Sequence, residues 1–164
     1  LLNLYYNFSF RLVLGLVLFI YVKYNKLMTI SIEQVTHKKK VYAIIVRKDS
    51  QFKKKGVNFI TRNQELFQLG FISHKKKHEI KKHYHIKKTR KISYFSEVLI
   101  IKKGLLKVMF YDKNSKSIKK DKILKKDDII LLLKGGHGFK VLKDVEIIEV
   151  KQGPYQKYTD KILI

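Results

Sequence analysis

Lys81-Lys82-His83-Tyr84-His85, an interval of eleven residues, then Glu97-Val98-Leu99-Ile100-Ile101-Lys102-Lys103-Gly104: the reading of this chain turns on that stretch. Side chains on a strand alternate between faces, so His83 and His85 share one face and Tyr84 takes the other. Two imidazoles pointing the same way can grip one metal ion if their face looks into a cavity. A third histidine, His137, stands in a Gly135-Gly136-His137-Gly138 turn. Three neutral imidazoles and the Glu97 carboxylate are a donor set for a divalent transition metal such as iron, manganese, zinc or nickel. Such a site leaves positions open for water or substrate. Read alone, His-x-His is equally at home on a basic surface strand in a chain with six histidines.

Around this stretch the pattern is β. Val41–Val46 is β-branched and compact, Leu66–Ile72 is a second run, and His78–His85 is a looser one. Glu97–Lys102 and Leu105–Tyr111 flank Lys103-Gly104 as a hairpin would. Asp112–Ser115 reads as a turn, followed by Ser117–Leu124, Asp128–Leu133, Gly138–Leu142 and Val145–Val150. Short strands at this spacing predict an all-β sandwich or barrel.

Composition narrows the chemistry. With 164 residues the chain suffices for one domain with a real core. It has no cysteine, so disulfides and thiolate metal sites are excluded; that is compatible with a reducing cytoplasm, the compartment expected here. The formal charge of +24 points towards nucleic acid or an anionic membrane surface. Coding bias is the preferred account of that charge, so nucleic acid is not the expected partner, nor is a membrane unless residues 1–27 are a true anchor. There is one alanine and one proline, and arginine occurs only at positions 11, 47, 62 and 90, whereas lysine, isoleucine, tyrosine and phenylalanine abound. An AT-rich genome inflates lysine, and a phosphate-binding surface favours arginine.

Residues 1–27 differ from the rest. Leu12–Val22 is an apolar run of eleven residues, whereas a spanning helix needs about 20. Met28-Thr-Ile-Ser-Ile-Glu reads like a natural start. Residues 1–27 are therefore expected to be upstream sequence or, alternatively, a short anchor. Residues 28–40 form a basic segment and 41–164 the β-barrel domain.

The residues around the histidines resemble the two motifs of the cupin superfamily. The first motif runs glycine, five residues, His-x-His, a few residues, Glu, six residues, Gly. His83, His85, Glu97 and Gly104 match it, Lys77 stands where its first glycine belongs, and the interval before Glu97 is longer than usual. The second motif has Gly-Asp, a strand, a Pro-x-Gly turn and a histidine. Asp128, Gly135 and His137 match, with Asp127 in place of the glycine, Leu133 in place of the proline and Val141 in place of a later asparagine. With Gln68-Leu-Gly70, Arg90-Lys-Ile92 and Glu149-Val-Lys-Gln-Gly-Pro-Tyr155, the ensemble resembles small single-domain bacterial cupins over about residues 41 to 155.

The resemblance implies a cupin-type barrel (a double-stranded β-helix, or jelly roll) with His83, His85 and His137 as ligands to an internal metal. Glu97 is then a fourth ligand or, displaced by the long loop, a hydrogen-bond partner orienting a histidine. Arg90 is a candidate anion clamp, and Gln152 and Tyr155 are candidates for the pocket lining. The expected ligand is a small polar or anionic molecule, such as a sugar derivative of surface-polysaccharide metabolism. The expected chemistry is metal-dependent isomerisation, epimerisation or dioxygenation. A non-catalytic ligand-binding cupin is one alternative; a lysine-driven binder of nucleic acid or membrane surface is another. Small cupins often pair as homodimers through an edge or N-terminal strand, here Ile30–Val46. The leader reading is checked by mass spectrometry of the native N-terminus, whose first peptide should begin at Met28.

Overall fold

The computed structural model describes residues 31–154, 156 and 160–164; the leader and Tyr155 lie outside the described residues. The described residues form eight strands: β1 (Ile32–His37), β2 (Lys40–Val46), β3 (Gly56–Phe59), β4 (Gly70–Ser73), β5 (Glu97–Tyr111), β6 (Lys122–Lys125), β7 (Ile129–Leu132) and β8 (Gly136–Lys151). The described residues contain no helix, and hence none long and apolar enough to cross a membrane. The main sheet is antiparallel throughout in the order β1-β2-β7-β5-β6, with β8 along the opposite edge of β5; β3 and β4 form a separate hairpin. The fold is all-β, a curled antiparallel sheet in the shape of a half-barrel.

Two apolar runs build its centre. Ala43, Ile45, Ile130 and Leu132 face one core with Leu99, Ile101, Leu106, Val108 and Phe110, while Ile44, Val98, Leu131 and Leu133 pack on the other face. A strand covered on both faces needs no polar alternation, which is why β2 and β7 read as continuous apolar runs. Strands β1 and β2 join through Lys38 and Lys39, both at positive φ (45° and 62°), the geometry of a two-residue hairpin turn of the primed type. Within the lysine run at 38–40, Lys38 and Lys39 are thus a turn and Lys40 opens β2, and Ile32–His37, ahead of the expected boundary at Val41, is already part of the sheet.

The expected hairpin through Lys103-Gly104 is not a hairpin, and the expected strands Gly138–Leu142 and Val145–Val150 are one strand. Strand β5 continues through Lys103-Gly104 for 15 residues, and β8 continues through residues 143–145 for 16. They pair with each other along their whole length, with register shifts between Ile101 and Leu106. Gly104 adopts φ +86°, and a Cβ there would overlap the carbonyl oxygen of Asp144. A glycine between alternating apolar residues has the same appearance whether it turns the chain or kinks it as a bulge. The buried positions on β5 are odd at Leu99 and Ile101 and even at Leu106, Val108 and Phe110, all in one core. Only an irregularity between the two sets keeps both on one face.

The kink also curls the sheet. Glu97 and Phe110 are thirteen residues apart on β5, about 43 Å of extended chain. Yet His137, the cross-strand partner of Phe110, reaches Glu97. The β5–β8 ribbon therefore doubles back on itself.

Other sequence-derived strands shrink. Leu66–Ile72 contributes only Gly70 onward, and Ser117–Leu124 only from Lys122, preceded by a single bridge between Tyr111 and Ser117. His78–His85 forms no strand. That segment has no alternating apolar face to bury, and its lysines would oppose any cationic neighbour across a ladder.

A polar knot fixes the far end of the sheet. The buried carboxylate of Asp128 accepts hydrogen bonds from Arg47 Nη1 (2.8 Å), the Lys48 N–H (3.0 Å) and the Lys125 N–H (3.1 Å). Arg47 Nε and Lys122 Nζ both donate to Glu33, at 2.7 and 2.8 Å. These two hydrogen bonds hold the Glu33 carboxyl down at about 2. Asp127, just before the knot, sits at φ +68° while its N–H donates to the Ile101 carbonyl at 2.7 Å.

Gly104 and Asp127 should respond oppositely to substitution. Gly104→Ala should cost about 3 kcal/mol or more, since strain and overlap with backbone combine. Asp127→Gly should stabilise by a few tenths to about 1 kcal/mol by relieving a left-handed non-glycine residue. Urea unfolding of both variants measures each change.

Candidate functional site

Strand β5 opens on Glu97, which lies between Leu132 of β7 and Lys151 of β8. His137 is the second residue of β8, delivered by the Gly135-Gly136 turn. Gly135 takes φ +76°, and a Cβ there would collide with the ring of Tyr42. The turn thus hugs the core, and the Leu133 N–H donates to the Tyr42 carbonyl at 2.9 Å. Inside the curl, His137 Nε2 stands 3.3 Å from Glu97 Oε2, both side chains largely but not wholly shielded. The hydrogen bond from His137 holds the Glu97 carboxyl below its ordinary range, against the opposing effect of burial; the charges of His137, Lys151 and Lys161 act in the same sense as the hydrogen bond.

The pair lies in a trough. A cavity of about 520 Å³ is lined by Phe95, Glu97, His137, Phe139, Lys151 and Gln152 among others. It shares Phe95, Glu97, His137 and Phe139 with a neighbouring cavity of about 630 Å³ that extends to Tyr94, Tyr111 and the 160–164 segment. Aromatic walls around a few convergent polar groups are typical of a small-molecule site. A larger cleft of about 890 Å³ lies beside Arg47 and Glu33. Those two residues belong to the polar knot, so we take the trough as the site.

Of the candidate site residues, the fold brings together Glu97, His137 and Gln152. The Gln152 side-chain oxygen accepts the Ser96 N–H at 2.8 Å, tying the end of β8 to the residue before Glu97. His83 and His85 lie elsewhere, in the exposed irregular segment, their ring centroids 5.4 Å apart and His83 Nδ1 2.8 Å from the Lys81 carbonyl. Among the described residues, no three His, Asp or Glu side chains stand close enough to share an ion. Arg90 lines a separate shallow pocket of about 460 Å³ with Phe59, Glu65 and Gln68. Tyr155 is outside the described residues.

Phe95, Phe139 and Lys151 line the trough without having been singled out from the sequence. Phe139 was readable as the residue two beyond His137 on one strand face. Lys151 was not, because its place depends on the register of β8 against β5. Comparison with known proteins returns nothing: no family model, curated protein or solved structure matches the chain.

The Glu97 shift can be tested directly. A carboxyl whose pKa is lowered by folding lends stability above its unfolded pKa and loses it as the pH falls through the folded value. His137→Ala removes the leading cause, so the Glu97 titration followed by carboxyl carbon-13 NMR should move upward.

Proposed function

We propose that this chain is a cupin-type protein that binds a small polar molecule, such as a sugar derivative, on the concave side of its curled sheet. The observation that carries the reading is the Glu97–His137 contact inside a trough walled by Phe95, Phe139, Tyr94 and Tyr111. Aromatic faces suit the apolar face of a sugar ring, while the carboxylate and imidazole address its hydroxyls. A carboxylate and an imidazole at this spacing also suit proton removal and return beside a carbonyl, the step that isomerisation and epimerisation share.

The backbone supports the cupin part of the reading. The motifs place glycine at four positions, here Lys77, Gly104, Asp127 and Gly135. All four have positive φ, at 70°, 86°, 68° and 76°. Such values are uncommon outside glycine. At two of the positions, Lys77 and Asp127, a non-glycine residue takes the left-handed conformation that glycine favours.

The metal part of the reading stands apart. A divalent iron, manganese, zinc or nickel ion would need His83 and His85 beside Glu97 and His137, and as folded here the four do not form one group. The donor set does not fit an ion in this arrangement, and no step above depends on one.

Calorimetric titration against a panel of sugars and sugar nucleotides tests the binding. Saturable binding that weakens at least about tenfold in Glu97→Gln and His137→Ala is expected, with the folded state of each variant checked by circular dichroism. Binding untouched by both variants would remove the trough from consideration. Turnover of a bound sugar marks an enzyme; binding with none marks a ligand-binding cupin. Metal analysis of the purified protein settles the ion separately, and less than about a tenth of an equivalent would set the metal aside.

A further inference from the structure

From Lys75 to Phe95 every residue is exposed, and none belongs to a strand or helix. This arm leaves the β3–β4 hairpin after Ser73 and enters the main sheet at Glu97, just past the buried Ser96. Residues 74–91 hold nine of the chain's 37 Lys and Arg residues in eighteen of its 164 positions, against a single acid, Glu79. A codon bias explains why the cations are mostly lysine. It does not explain why they gather here, since it acts on every codon alike.

Outside the arm some cations are paired with a carboxylate, among them Arg47, Lys103, Lys107, Lys122 and Lys151. None of the nine arm cations makes an ion pair among the described residues. At the centre of the arm, Lys81-Lys82 and Lys87-Lys88 bracket His83-Tyr84-His85, and the Tyr84 side chain is 99% exposed. An aromatic ring held wholly in water between unpaired ammonium groups is not part of any core.

We propose that the arm is a binding site for single-stranded nucleic acid, with the lysines on phosphates and Tyr84 as a stacking platform. Unpaired cations release counterions from a phosphate chain. An exposed ring stacks on any base that is not already stacked, which favours a single strand. The arm has no helix or β-ribbon with which to enter a duplex groove. A membrane surface would also attract the charge, but the arm lacks the apolar helical face that seats a segment in the headgroup layer. Tyr94 and Phe95, at the arm's end, line the trough, but the site at Lys81–Lys88 shares no residue with it, so either assignment can fail without the other.

The test is fluorescence anisotropy of the full chain with a labelled single-stranded DNA of about 20 nucleotides, across a salt series. The variant Lys81→Gln/Lys82→Gln/Lys87→Gln/Lys88→Gln leaves His83 and His85 in place. It should bind at least about tenfold more weakly, with a salt slope shallower by roughly 2–3. Tyr84→Ala should lose about tenfold. Lys113→Gln/Lys116→Gln/Lys119→Gln/Lys126→Gln, which removes as much charge from exposed positions elsewhere, should lose less than about threefold. Equal losses in the two quadruple variants would overturn the proposal in favour of diffuse attraction. Unchanged binding by Tyr84→Ala, or tighter binding to phosphatidylserine vesicles than to DNA, would overturn it as well.

Discussion

Where Gly104 meets Asp144, two backbones come closer than any side chain permits, and the shape of the molecule depends on that approach. A flat β5–β8 ribbon would hold its two ends apart by the length of the strand. Kinked at Gly104, with its register shifted over the neighbouring residues, the ribbon folds back and delivers the start of β8 to the start of β5. The same irregularity exchanges which alternate residues of β5 point inward, so that Ile101 and Leu106 share a core. Curvature, core continuity and the Glu97–His137 contact are thus consequences of one local event. Glycine is required there for two separate reasons: the left-handed φ and the absence of room for a Cβ.

The sheet needs an anchor against which to curl, and the Asp128 knot supplies it. A carboxylate buried without partners would be costly, and three donors from Arg47, Lys48 and Lys125 satisfy this one. Arg47 then bridges to Glu33, and Lys122 closes the group, so that β1, β2, β6 and β7 meet in one set of charges. Glu33 is held near 2, so its contribution is complete above the usual carboxylate range and fades as pH falls from there towards 2. The side chains of Glu33 and Lys122 are each about a third exposed, where solvent screens them, so the main effect of Glu33 is to fix geometry.

The strands covered on both faces were the most legible in the sequence. Val41–Val46 and Ile129–Leu132 are recognisable from β-branched and apolar content alone, because no partner is needed to interpret them. The β5–β8 ribbon was legible in its parts but not in its connection. Lys103-Gly104 and residues 143–145 have the chemistry of turns, and only their alignment opposite one another shows that both are kinks in continuous strands. Of the candidate site, Glu97 and His137 stand out in the sequence because residue type and glycine context mark them. That they touch could not be read, since contact between residues forty positions apart depends on how far the ribbon bends. The His83–His85 pair shows the reverse case. Period two places both rings on one side of a strand, but only if a strand exists to carry them.

The long interval between His85 and Glu97 explains why no strand carries them here. With three or four residues in that interval, the histidine segment would be drawn into the ladder by the strand that follows it. With eleven, it has no such tether. It must then form a strand on its own side-chain pattern, which offers Ile80 and Ile86 but no sustained apolar alternation. Lysines at both ends add repulsion that any added strand would have to overcome. The four residues accordingly lie in two settings with different chemistry. Glu97 and His137 stay in the curl, partly shielded from water and coupled to each other. His83 and His85 stand in the open beside Tyr84, surrounded by unpaired cations, where an anion rather than a metal is the ligand that the local charge attracts.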